Sequence, residues 1–215
     1  MSTPPDLRSL RSRKRLATRQ GISNAATRLF HEHGFDHVTV DQIAAAADVG
    51  RMTVFNHFPR KEDMFFDRDE EGREALREAI RARGEGVSPV EALRLLAHRL
   101  VAQGSPFVDF SAQSQGFVKT IEGSETLKAR ARAIRDELAD VVAQALTESA
   151  GRASPDVQAQ LAAGLLLAAW TVAFLHAHRI FRETQDTAIA QKSFLSLVDQ
   201  GAAGIVAALA GSPYA

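Results

Sequence analysis

Residues 19–62 read RQGISNAATRLFHEHGFDHVTVDQIAAAADVGRMTVFNHFPRKE, and the spacing of apolar and capping residues within them decides the fold. Ile22, Ala25, Ala26, Leu29 and Phe30 recur at i, i+3, i+4, i+7 and i+8, the pattern of one buried helix face. Gly34-Phe35 supplies a C-terminal stop. Thr39-Val-Asp-Gln42 is a capping box, and Val40, Ile43, Ala44 and Ala47 then share one face of a helix of about two turns. Asp48-Val49-Gly50 is a short turn into a third helix. Pro59 ends that helix, because the residue before a proline is pushed out of the α region. Three helices in so short a span, the last two joined tightly, outline a helix-turn-helix.

Outward from this stretch, apolar periodicity near 3.6 continues along the chain and strand signals are almost absent. The expected fold is all-α with about nine helices. One long helix is predicted from Lys61 to Arg83. Ser88-Pro89 begins another, and Ser105-Pro106 a shorter one carrying Phe107, Phe110 and Phe117. Ser124 caps the next, Ser154-Pro155 starts one that reaches Phe181, and the last spans roughly residues 187–210. The expected organisation is a basic flexible arm over 1–17, a helix-turn-helix domain over 18–62, and a helical effector-binding and dimerisation domain over 63–215.

The chain has 215 residues, 26 Lys+Arg against 26 Asp+Glu, 45% hydrophobic residues and no Cys. That composition supports a packed core and excludes disulfides, thiolate metal ligands and a Cys nucleophile. The polar N-terminus is not a secretory signal. The apolar run Leu161–Leu175 is interrupted by Gly164 and Thr171 and falls short of the ~20 residues that span a bilayer. It reads as a core or subunit-interface helix, and the expected location is the cytoplasm. The zero net charge conceals an asymmetry: Met1 to His31 carry seven basic residues and one acid, Asp6. A basic segment ahead of a helix suits a polyanion, nucleic acid or an anionic membrane, and equally a solvated tail.

The third helix carries the functional signal. At 100° per residue Val54 and Phe58 face inward, while Met52, Thr53, Asn56 and His57 fall on the other side and Arg51 stands at the N-terminal end. Such a face is either an ordinary polar surface or one that reads a DNA major groove. Asn pairs with adenine, Arg with guanine, and Thr or Met meets a thymine methyl.

The pattern Arg19-x-x-Ile22-x-x-Ala25-Ala26-x-x-Leu29-Phe30-x-x-x-Gly34-Phe35-x-x-Val38-Thr39-Val40-x-x-Ile43-Ala44-x-x-Ala47-x-Val49-x-x-x-Thr53-Val54-Phe55-x-His57-Phe58-x-x-Lys61-Glu62 resembles the N-terminal domain of TetR-family transcriptional regulators. The resemblance implies a cytoplasmic homodimer that binds double-stranded DNA at a palindromic operator, represses, and is released by a small-molecule effector, with no cofactor and no membrane partner. It makes Thr39, His57 and Lys61 phosphate contacts and Arg51, Met52, Thr53 and Asn56 base-reading candidates. Asp48, Gly50 and Phe55 depart from the usual Gly, Ser and Tyr, and Phe55 forfeits a phenolic hydrogen bond of about 1 kcal/mol. Arg60, where a capping Ser is common, is a further phosphate candidate.

Small residues on the last two long helices suggest a dimer interface through Gly164, Ala168, Val198, Ala202, Gly204, Ile205 and Ala208, or else an intramolecular core. The effector candidates are His98, Phe107, Phe110, Phe117, Trp170, Phe174 and His178, which plain core packing also explains. His31-x-His33 and His176-x-His178 lack metal-ligand geometry on a helix, so no metal is expected. There is no phosphate loop, nucleophile elbow or singled-out carboxylate pair, so no enzyme is expected. The competing function is a helical small-molecule carrier or membrane-surface adaptor holding anionic lipid with its basic arm.

Overall fold

The structure is a computed structural model that describes residues 7–154 and 156–215. Ten α-helices and no strand occur among the described residues. They fall into two compact units, Met1–Arg68 with Thr120–Arg130, and Asp69–Lys119 with Ala131–Ala215.

The first unit holds α1 (Leu7–His33), α2 (Val40–Ala46), α3 (Arg51–His57) and α4 (Glu62–Phe65). The apolar stripe of α1 lands in its core, with Ile22 and Ala26 fully buried and Phe30 2% exposed. Gly34 ends α1 at φ +80°, a conformation glycine adopts without steric cost, and its N–H donates to Phe30 O at 2.9 Å. Thr39 caps α2 through the reciprocal bonds with Gln42 that the sequence predicts.

Two expectations for this region need correction. Residues 7–17, expected as flexible arm, are helical and continuous with α1, whereas residues 1–6 of that arm lie outside the described residues. The single helix expected from Lys61 to Arg83 is two, because the chain turns at residues 66–68 before α5 (Asp69–Arg81). Long-range partners explain the break. The Ser23 hydroxyl donates to the Asp67 carboxylate, and Arg19 Nη2 reaches Asp67 O at 3.4 Å. The Phe65 ring sits 6.2 Å from both Phe30 and Phe35. Local periodicity reads through such a turn because it carries no Gly or Pro.

Residues 120–130 also belong to the first unit, although they lie far downstream in sequence. Leu127 is fully buried in the same core as Ile43 and Val54. Ser124 Oγ donates to Asp36 Oδ1 at 2.9 Å, and Arg130 Nε to Asp63 Oδ1 at 3.1 Å.

The second unit contains α5, α6 (Pro89–Ala102), a 3-10 turn (Pro106–Val108), α9 (Val157–Thr184), α10 (Thr187–Ala208) and most of α7 (Ala112–Glu122) and α8 (Glu125–Ser149). The helix expected from Ser105-Pro106 is thus a 3-10 turn with Phe107, a linking residue Phe110, and α7 with Phe117. Helix α9 starts at Val157 with Asp156 as its cap, accepting from Ala159 N at 2.8 Å, rather than at Ser154-Pro155; Pro155 lies outside the described residues. α9 and α10 pack along each other so closely that a Cβ on Gly201 would meet Ala169 Cβ at 2.7 Å. By length and composition α9 is apolar enough to cross a membrane. Its Ala159, Ala162, Ala163 and Ala173 are buried in the unit.

Candidate nucleic-acid interface

Helix α3 is short and held by two apolar anchors, Val54 at its middle and Phe58 at its C-cap, each 0% exposed. Its N-cap is Gly50 in extended backbone, with no side-chain cap bond. The turn before it places Asp48 at φ +53°, a left-handed conformation that costs a side chain free energy and favours glycine. The substitution of Asp for Gly visible in the sequence therefore falls where the backbone is strained.

Arg51, Met52 and Asn56 are exposed, Met52 at 70%, and Thr53, Phe55 and His57 are half-buried. Arg51 Nη1 pairs with Asp41 Oδ2 at 2.8 Å and its guanidinium stands 5.6 Å from the Phe55 ring. Sequence reading overlooked Asp41, whose signal is an acid in the first turn of α2. Arg19 braces the far end of α3: it lies 4.0 Å over the Phe58 ring and donates to His57 O at 2.6 Å. The His57 imidazole is held below its ordinary pKa, first by burial and then by the positive charges of Arg15 and Arg19. Those two guanidiniums on α1 thus lie within electrostatic reach of α3.

The expected phosphate contacts fare differently. Thr39 is exposed, but its hydroxyl is committed to the capping box, accepting from Gln42 N and donating to Gln42 Oε1. Lys61 does not present a free ammonium: Nζ donates to Phe35 O at 2.9 Å and Val38 O at 3.0 Å and lies 4.2 Å from the Phe35 ring. It ties the turn between α1 and α2 to the start of α4, and burial lowers its pKa. Arg60 is exposed.

In the second unit, four of the seven effector candidates converge. Phe110 is 5.8 Å from Phe174, 5.0 Å from His178 and 5.3 Å from Phe194, and Trp170 is 6.3 Å from Phe194. Gln115, which sequence reading missed, bonds His178 Nδ1 through Nε2 at 2.9 Å. Buried Gln115 Oε1, Trp170 Nε1 and His178 Nε2 have no partner among the described residues, and each such orphan costs about 1–3 kcal/mol. Burial, then Arg182, lowers the His178 pKa to about 4.

The other candidates lie elsewhere. His98 Nε2 is 2.7 Å from Asp199 Oδ1, in an ionic cluster with Arg94 and Glu91; Phe107 lies against Gly72 of α5, and Phe117 is 41% exposed. A surface groove of about 490 Å³, lined by Arg77, Asp140, Gln144, Glu148 and Gln160 among others, contains none of the seven.

The expected dimer residues divide into two groups. Val198, Ala202 and Ile205 are buried within the unit's own core at 1–5% exposure. Gly164, Ala168, Gly204 and Ala208 are exposed. Beside them α9 and α10 also expose Leu161, Leu165, Val172, Leu175, Ile189 and Val206.

The fold and α3 define a helix-turn-helix protein with a separate helical unit. Residues 22–67 match the family model of bacterial regulatory proteins, tetR family. The match covers the helix-turn-helix stretch and supports a regulator of the TetR type. Over 89 residues it is 36% identical to the transcriptional regulator TcmR of Streptomyces glaucescens, covering 41% of this chain and 39% of that protein. The match to this curated relative therefore spans about two fifths of the relative's length. Thermus thermophilus FadR, a TetR-family transcriptional repressor solved with lauroyl-CoA, is 28% identical with a TM-score of 0.51, covering 85% of this chain and 94% of its own. The complex of triclosan with SmeT of Stenotrophomonas maltophilia shares the fold at 21% identity and a TM-score of 0.55, covering 87% and 91%.

Proposed function

We propose that the protein is a dimeric transcriptional repressor that binds a palindromic DNA operator through α3 and is released by a small, largely apolar effector. The observation that carries this reading is α3 itself. It is a two-turn helix locked by Val54 and Phe58, with Arg51, Met52 and Asn56 exposed on its outer side, and it has the dimensions and chemistry of a major-groove reader. Thr53 and His57 flank that face. Arg15 and Arg60 supply positive charge for backbone phosphates, while Lys61 shapes the site by holding the α1–α2 turn. The N–H groups at the start of α2, capped by Thr39, give a further anion contact.

Dimerisation through α9 and α10 is supported by their exposed apolar and small residues, Leu161, Gly164, Leu165, Ala168, Val172 and Gly204. A stripe of that extent on a soluble helix pair is a partner surface. Two recognition helices then enter successive major grooves about 34 Å apart. Effector binding to the aromatic cluster of the second unit favours a different spacing, a population shift whose size is set by the effector's preference for the released state. FadR, a repressor solved with a ligand, supports the small-molecule arm of the proposal.

Selection of bound duplexes from a random-sequence pool tests the reading, followed by titration of the winner with salt. A palindrome should emerge, with a log–log salt slope of about −0.9 per neutralised phosphate. A pool with no enriched sequence, or liposome binding stronger than duplex binding at matched salt, overturns it.

A further inference from the structure

Helix α1 runs well past the core that it supports. At about 100° per residue, Arg11, Arg15, Arg19, Ile22, Ala26 and Phe30 share one arc of about 100° on its surface. Contacts fix where that face points. Ile22, Ala26 and Phe30 are buried in the first unit. One turn towards the N-terminus, Arg19 lies over the Phe58 ring and donates to His57 O, at the C-terminal end of α3. Beyond Arg19 the core stops and residues 11–17 are exposed, so the buried face of α1 continues as a row of arginines. The positive charge of Arg15 opposes protonation of His57, which sets the row within electrostatic reach of α3.

This row works against the helix that carries it. Arg11 and Arg15 stand at i, i+4, where like charges repel. No acid occupies the first turn of α1, none occurs in the sequence between Asp6 and Glu32, and positive charge near a helix N-terminus opposes the macrodipole. Neither guanidinium has an ion-pair partner among the described residues. A line of phosphates relieves the repulsion and supplies the missing partners. From Arg19 to Arg11 the helix advances about 12 Å, the length of three to four nucleotides of one strand at about 3.4 Å each.

We infer that the N-terminal half of α1 is a second DNA-binding surface, on which Arg11 and Arg15 hold backbone phosphates beside the groove entered by α3. It adds affinity and length to the operator contact without reading bases. The inference rests on the reading of α3 as the groove-entering helix, and its residues lie outside the family match at 22–67.

The full-length protein is titrated with salt against two duplexes, the operator recovered by selection and one of scrambled sequence and equal length. Arg11→Gln with Arg15→Gln should lower the log–log salt slope by about 1.8 per protomer, about 3.6 for a dimer, and weaken both duplexes by a common factor. Arg28→Gln removes an exposed charge about 180° round the same helix and should leave the slope nearly unchanged. Adding Ser12→Arg and Leu16→Arg to the double variant restores the net charge but turns the row by about 100°; it should recover less than half of the lost slope. A full slope in that variant, or an equal fall with Arg28→Gln, overturns the inference and leaves only net charge. Tighter binding to phosphatidylglycerol vesicles than to either duplex at matched salt also overturns it. An operator bound with unchanged slope by the double variant sinks this surface alone. Failure to select any operator, with the two arginines still setting the slope on scrambled duplex, sinks the regulator reading and leaves the surface.

Discussion

Truncating Leu127 to alanine is expected to loosen the DNA-binding unit from a position that the helix-turn-helix stretch does not include. Leu127 is 0% exposed and lies in one apolar core with Ile43, Val54 and Phe58. Leu→Ala at a site of this kind costs about 2–5 kcal/mol, the lost transfer energy plus the residual cavity. Spread over a cooperative unit, that raises the open population from roughly 30-fold to a few thousand-fold, at tenfold per 1.4 kcal/mol. Native-state hydrogen exchange reads the effect at two amides, Ile43 N–H on Thr39 O at 3.2 Å and Val54 N–H on Gly50 O at 3.2 Å. Both should lose protection by a common factor. Leu146→Ala, at a residue 1% exposed in the core of the second unit, is the control and should leave these two amides much less affected. If Leu127→Ala loosens only the amides of α8 and leaves Ile43 and Val54 protected, residues 120–130 are passengers and the assignment of that segment to the DNA-binding core is wrong.

Gly204→Arg projects into open space, since no atom stands within 4 Å of an added Cβ; it should preserve the protomer fold and yield monomers by light scattering, and an intact dimer would exclude α10 from the interface. Asp48→Gly should stabilise the protein by about 0.5–1 kcal/mol by relieving φ +53°, a rise in Tm of roughly 1–4 °C, and an unchanged or lower Tm would deny the strain. Because the His178 pKa is lowered to about 4 in the fold from an unfolded value near 6.5, the unfolded state binds more protons between the two. The His178 contribution, on the order of 2–3 kcal/mol, is present above pH 6.5 and is lost as pH falls towards 4; urea titrations at several pH values should show a shallower dependence in His178→Phe, and identical profiles would count against a buried neutral imidazole. Asp41→Asn frees Arg51 from an exposed ion pair of about 0.2–1 kcal/mol and removes a negative charge beside α3, so operator affinity should rise about two- to fivefold, and a loss would show that Asp41 orients Arg51 productively.

Much of the DNA-binding unit was legible because its determinants are local. The i, i+3, i+4 stripe of α1, the capping box at Thr39 and the stop at Gly34 depend on residues a few positions apart, so each can be read along a line. The tight turn into α3 and its inward Val54 and Phe58 follow from the same spacing. The resemblance assigned Lys61 to phosphate, and neither a motif position nor residue type says which carbonyl a four-carbon stem will reach. The structure places that ammonium on Phe35 O and Val38 O. Small residues were equally ambiguous: Gly204 and Ala208 are exposed, while Ala202 and Ile205, on the same helix, are core.

By itself the sequence determined an all-helical chain, the three-helix pattern at its front, the boundaries of most later helices and the family that its front domain resembles. Each of these rests on short-range periodicity, capping chemistry or a spaced motif. Only the tertiary structure decided that α4 and α5 are separate, with Asp67 bonded by Ser23, and that residues 120–130 complete the DNA-binding core. It alone gathered Gln115, Trp170 and His178 around an aromatic cluster with three unpaired polar atoms. Those outcomes depend on pairs of residues distant in the chain, and a hydrogen bond or a buried contact of that kind leaves no periodic trace in the sequence on either side of it.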